Sequence, residues 1–238
     1  MSLSGIAAFL VTGAFVLLAV ACDPPGKPRV DENVLAENVT DFTTLFTQNC
    51  AGCHGVDGRN GPGRILNDPL YLAIIPRESL RNVLIHGRPG TAMPGWDRIE
   101  GGPLTTRQID ILVDGIYRKW SQPAKLPGDH PAYAASASGD KEAGRKLFAR
   151  FCFPCHGPGA KVGLVTGPSY LSLVSDQMLR TSIIVGRPDL GMPNYRYIKM
   201  GGPLNEQNVT DLVAFLASKR LPSMGRGASA PLTQQETK

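Results

Sequence analysis

Charged residues are missing from the first 22 positions, MSLSGIAAFLVTGAFVLLAVAC, which run apolar almost unbroken from Ile6 to Val20. A stretch of that kind is read as an export or anchor segment, outside any folded core. Aromatic residues are scarce, at 7% of the 238-residue chain, whereas Gly (27) and Pro (20) are plentiful. Loop-rich domains with few large rings need another source of core, and a buried cofactor would supply it. Convincing runs of alternating apolar and polar residues are also lacking, so no sheet is expected and the architecture is read as mainly α. Cysteine (five) and histidine (four) are few enough that each one can be weighed individually.

The apolar segment ends in Leu18-Ala19-Val20-Ala21-Cys22-Asp23, which resembles the lipobox of bacterial lipoproteins. The resemblance implies that Cys22 is the site of lipid attachment and that residues 1–22 form a signal and anchor segment. The alternative is an uncleaved membrane helix, because the apolar run is near the lower end of the length that spans a bilayer. Both readings tether the remainder to membrane lipid on the side away from the cytoplasm, facing the periplasm or cell exterior.

The other four cysteines fall into two identical frames, Cys50-Ala51-Gly52-Cys53-His54 and Cys152-Phe153-Pro154-Cys155-His156, offset by 102. Around them the chain repeats itself. Leu-Arg, Gly-Arg-Pro and Met-Pro recur at an offset of 99 between LRNVLIHGRPGTAMPGW from Leu80 and LRTSIIVGRPDLGMPNY from Leu179. Gly101-Gly102-Pro103-Leu104 recurs at Gly201-Gly202-Pro203-Leu204. Four elements in one order at nearly one offset indicate an internal duplication, with each copy long enough to be a small domain. The copies are placed at 37–122 and 139–221. Residues 23–36 read as a spacer, 123–138 as a surface linker rich in Pro, Ala and Ser, and 222–238 as a disordered tail.

Within each copy three helices are expected. The first runs into the Cys frame with Phe42, Leu45 and Phe46, or with Gly144, Leu147, Phe148 and Phe151. A middle helix stops at Gly87 or Gly186, with Pro two residues on. The last follows Gly-Gly-Pro-Leu and turns Ile109, Leu112, Val113, Ile116 and Tyr117, or Val209, Leu212, Val213, Phe215 and Leu216, to one side.

Cys-x-x-Cys-His is the attachment frame of haem c: the two thiols add across porphyrin vinyl groups and the adjacent His is placed to bind iron. Two disulfides would not explain a His after each pair, and a zinc knuckle or thioredoxin-like pair does not need one there. Two covalently bound haems c are therefore expected, held by Cys50, Cys53 and His54 and by Cys152, Cys155 and His156. For the opposite face of each iron the repeat nominates Met93 and Met192, 39 and 36 residues after the respective His and each followed by Pro. A thioether there favours ferrous iron. Met178, Met200 and Met224 have no counterparts in the first copy, and His86 corresponds to Val185.

On these residues each copy resembles a class I cytochrome c domain, and the pair resembles the tandem dihaem cytochromes c of bacteria. The resemblance covers nearly all of 37–221. It implies two domains of a few helices wrapped round a haem, with a Gly-Pro after the haem frame lending a backbone carbonyl to the His ring; Gly61-Pro62 and Gly167-Pro168 match. It also implies a Gly-x-x-x-Phe on the first helix that lets it cross the last one closely. Gly144 and Phe148 fit, whereas Phe42 stands in the Gly position of the first copy, so a looser or shifted crossing is expected there.

Irons bound by protein on both faces have no open position for a substrate, which points to an electron carrier and not to an enzyme. The function read from this is electron transfer between a membrane quinol-oxidising complex and a terminal oxidase or photosynthetic reaction centre, as a tethered shuttle or a complex subunit. A dihaem peroxidase and a cytochrome subunit of a periplasmic dehydrogenase are the alternatives. Residues 37–122 carry nine Lys plus Arg against nine Asp plus Glu, and residues 139–221 carry eleven against six. The second copy is thus the expected docking face for an acidic redox partner. Nucleic acid is not an expected partner of an exported haem protein, despite a pI of about 9.0.

Overall fold

The computed structural model describes residues 35–122, 129–160, 162–198 and 202–221. The segments read as anchor (1–22, with Cys22), as spacer up to residue 34 and as tail (222–238) lie outside them. No helix among the described residues is long and apolar enough to cross a membrane. The chain divides into two units, Met1–Val39 and Thr40–Lys238. In the first, the described structure is a 3-10 turn at Ala36–Asn38. The second holds both repeats, and all described secondary structure in it is helical apart from two isolated bridges, Asp97 with Leu104 and Arg187 with Met192.

The first repeat contains α1 (Phe42–Asn49), α2 (Ala51–His54), α3 (Pro69–Ile74), α4 (Arg77–His86) and α5 (Thr106–Trp120). The second repeats the order with α6 (Lys141–Phe151), α7 (Phe153–His156), α8 (Pro168–Leu173), α9 (Asp176–Val185) and α10 (Glu206–Ala217). The three helices expected from periodicity are α1, α4 and α5 and their counterparts. The additional short helices hold too few turns to show a period.

Local chemistry fixes the ends. Asp41 and Asp140 accept backbone N–H bonds at the starts of α1 and α6, filling donors that a helix leaves open. The last helix of each repeat opens on a reciprocal capping box, Thr105 with Gln108 in α5 and Asn205 with Asn208 in α10. Helices α4 and α9 end at Gly87 and Gly186, whose φ values of 71° and 70° are open to glycine and strained for other residues. The cores form where α5 buries Ile109, Leu112, Val113, Ile116 and Trp120 and α10 buries Val209, Leu212, Phe215 and Leu216.

In the second repeat α6 crosses α10 so closely that a Cβ on Gly144 would stand 2.0 Å from the Asp211 carbonyl oxygen. The first repeat has Phe42 in the Gly position, and its ring lies on Gly115, where a Cβ would meet it at 2.0 Å. A ring and not backbone fills that crossing, and α1 and α5 touch over far less of their length than α6 and α10 do, the looser crossing expected.

The part of the linker that is described is pinned to the second repeat. The side chain of Arg180, 3% exposed, donates from Nε to the Ala132 and Tyr133 carbonyls and from Nη1 to Thr210. It also pairs with Glu206, which accepts the Ala132 N–H. A buried guanidinium needs this full complement of acceptors.

Candidate functional site

Each Cys-x-x-Cys-His frame folds as a single helical turn running on from the first long helix of its repeat. Cys50 closes α1 with its N–H on the Phe46 carbonyl, and Cys152 closes α6 on Phe148. The His54 and His156 N–H groups then bond back to the Cys50 and Cys152 carbonyls, at 2.9 and 2.8 Å. One turn of helix thereby carries the two thiols and the imidazole of each frame on one short segment. All four thiols are free, the first of each pair half-buried and the second exposed. Burial, with the neighbouring Cys53, pushes the Cys50 thiol up to about 12, and burial with Cys155 pushes Cys152 up to about 11. Among the described residues no three His, Cys, Asp or Glu side chains gather as a metal-binding cluster.

The imidazoles are oriented by backbone. His54 Nδ1 lies 2.7 Å from the Arg64 carbonyl oxygen, and His156 Nδ1 lies 3.2 Å from that of Gly163. A carbonyl only accepts, so Nδ1 carries the proton and Nε2 is left with its lone pair, as iron ligation requires. Burial draws the His54 pKa below its ordinary value, with the Arg64 carbonyl working the other way. The structure corrects the source of these carbonyls: they come from Arg64 and Gly163, not from Pro62 and Pro168. The reason is positional. Pro168 opens helix α8, and its structural counterpart at offset 99 is Pro69, which opens α3; Pro62 lies two residues short of the acceptor.

Met93 and Met192 are half-buried in loops that close in the same way. The Arg88 N–H bonds to the Met93 carbonyl at 2.8 Å, and the Arg187 N–H to that of Met192 at 3.0 Å. Beyond each Met-Pro, Trp96 and Tyr195 donate to the Leu84 and Ile184 carbonyls in the last turn of α4 or α9, and accept from Leu104 and Leu204. Gly87 and Gly186 make room for this return, since a Cβ on either would fall within about 2.4–2.7 Å of the Met-Pro backbone. The Met segments are thus held in matching places by the Gly-Arg-Pro and Gly-Gly-Pro-Leu elements of the repeat. His86 is at the surface against Glu100.

Sequence reasoning missed Arg64, Gly163 and Gly115. A main-chain carbonyl acceptor carries no residue signature, so nothing in the sequence marked Arg64 or Gly163. Gly115, by contrast, is legible as the place where Phe215 has no aromatic counterpart.

Free thiols paired on one turn, an imidazole with Nε2 available and a half-buried methionine thioether are the donor set that haem c takes. Comparison with known proteins agrees. The family model described as cytochrome C oxidase, cbb3-type, subunit III matches twice, at residues 37–114 and 139–216. Cytochrome c55X of Stutzerimonas stutzeri is 39% identical over 88 residues, which is 37% of this chain and 74% of that protein. Cytochrome c55X of Pseudomonas aeruginosa is 35% identical over 98 residues, 41% of this chain and 80% of that protein. The cbb3-type cytochrome c oxidase subunit CcoP of an Azospirillum species is 26% identical over 162 residues, covering 63% of this chain but only half, 50%, of that subunit. With two tandem matches that together span more than half its length, the chain belongs to the family described as cytochrome c oxidase, cbb3-type, subunit III, as a pair of class I c-type cytochrome domains, and membership implies covalently bound haem c in each.

Proposed function

We propose that the chain carries electrons on the periplasmic side of a membrane, from a quinol-oxidising complex to a terminal oxidase or photosynthetic reaction centre. The observation that carries this reading is the twofold recurrence of one arrangement: an imidazole fixed by a backbone carbonyl, and a Met loop closed on the Gly-Arg-Pro arginine. In the reading, Cys50, Cys53, Cys152 and Cys155 form the thioether links, and His54 with Met93 and His156 with Met192 occupy both axial positions of the two irons. The haems supply one-electron exchange. The protein's part is to hold their ligands, keep water from the buried side and leave no ligand position for substrate. Relatives named as oxidase subunits support a membrane complex as partner. Cys22 supplies the lipid anchor.

Copurification from native membranes in mild detergent, with carbon monoxide binding measured on the reduced protein, tests the proposal. A redox complex recovered with the chain and no carbon monoxide binding are the expected results. Rapid reaction of one haem with carbon monoxide or peroxide would instead favour the peroxidase reading.

A further inference from the structure

The two repeats meet through a reciprocal pair of arginine contacts. Arg64 Nη1 donates to the Gly186 carbonyl at 3.0 Å and Nη2 to Ser182 Oγ at 2.7 Å, both in the second repeat. In return, Arg187 Nη2 reaches the Gly61 carbonyl of the first at 3.3 Å. Both ends are haem-bearing segments. Gly61 to Arg64 is the loop folded on the first Cys frame: a Cβ on Gly61 would come within 2.3 Å of the Cys53 oxygen, and one on Gly63 within 3.0 Å of the His54 ring. Gly186 is the residue against which the Met192-Pro193 backbone closes. Arg64 therefore touches His54 through its carbonyl and the Met192 side of the second repeat through its guanidinium.

Among the described residues the Arg64 guanidinium forms no ion pair and its two hydrogen-bond acceptors are uncharged, with Asp68 near enough to favour its charge. Burial depresses its pKa, with Arg187 and Arg88 pressing the same way and Tyr71 and Asp68 opposing, yet a guanidinium stays protonated at neutral pH. Arg187, by contrast, is paired with Asp189.

We propose that Arg64 is a positioning residue shared by the two haem sites, which fixes the His54 side of the first against the Met192 side of the second and sets the reduction potentials of both. The inference rests on the haem reading above. A fixed positive charge disfavours ferric iron relative to ferrous, so it raises the potential of each nearby haem, and low-dielectric surroundings strengthen the effect. The orienting carbonyl adds a second route to the first haem, through the donor strength of His54.

Redox titration of the haem-loaded protein tests this, with the two waves assigned through Met93→Ala and Met192→Ala. Arg64→Met should lower both potentials, and Arg64→Lys should restore part of the shift by returning the charge without the two-pronged contact. Ser182→Ala alters only the second repeat; it should still move the first haem's potential and speed amide exchange in the 61–64 loop. Movement of one potential alone in Arg64→Met, or a first haem indifferent to Ser182→Ala, would overturn the shared role. Loss of the methionine-to-iron band from the wild-type spectrum would instead refute the ligand assignment, so the two failures are separable.

Discussion

Phe42 and Gly115 fit ring to backbone across the α1 and α5 crossing, and in the second repeat the glycine and the phenylalanine change helices. There Gly144 occupies the Phe42 position and Phe215 the Gly115 position, and a Cβ on Gly144 would meet the Phe215 Cβ at 2.9 Å. Phe42 also stacks near Phe46 and Trp120, with centroids 5.7 and 6.1 Å away, while Phe215 lies 5.3 Å from Phe148. Each crossing therefore sets a glycine of one helix opposite a phenylalanine of the other.

Adding a methyl to a filled crossing costs about 1–3 kcal/mol. Gly115→Ala should destabilise the haem-loaded protein in that range by thermal or denaturant unfolding. The cost should shrink in a Phe42→Ala background, where the ring is gone, giving a coupling of about 0.5–3 kcal/mol in the double-mutant cycle. Gly144→Ala should cost more than Gly115→Ala, because its nearest neighbour is the Asp211 backbone and not a side chain. Additive effects, or the opposite ranking, would count against the exchange.

Cys50→Ser with Cys53→Ser should remove one covalent haem and leave the other, and the same pair of changes at Cys152 and Cys155 should do the reverse. Mass spectrometry of the intact polypeptide, with haem staining after denaturing electrophoresis, reads the count. Loss of both haems from one pair of changes would show that the sites do not mature independently.

Met93→Ala and Met192→Ala should each abolish one methionine-to-iron charge-transfer band, lower one midpoint potential and let one reduced haem bind carbon monoxide. An unchanged spectrum in either variant would remove that Met from the ligand set.

Docking through the second repeat should make electron-transfer rates fall as added salt shortens the Debye length from about 30 Å to about 8 Å. Charge reversal at the exposed Lys141 or Lys146 should slow the reaction more than reversal at the exposed Arg59 or Arg77. Equal effects from the two repeats would discard the docking face.

The duplication, the long helices and the Cys and His of each frame were legible because they rest on side chains at fixed spacing. Gly87 and Gly186 were readable as helix ends for the same reason. The carbonyls that orient His54 and His156 were not, since any residue has one, and matching Pro62 to Pro168 by their shared Gly-Pro pointed to the wrong pair. Helix α3 escaped notice because six residues starting at Pro69 show no period, although the cap that starts it, Asp68 on the Tyr71 N–H, is in plain sequence. The inter-repeat bonds of Arg64 and Arg187 depend on how two domains meet, which no local pattern encodes.

Two copies of one fold on a single chain run the risk that the first helix of one will dock on the last helix of the other during folding. The exchanged glycine and phenylalanine tell the copies apart. A crossed assembly of α1 with α10 would bring the Phe42 ring to the place where Gly144 lets the Asp211 backbone approach. That pairing is penalised by overpacking, which favours docking of each first helix on the last helix of its own copy.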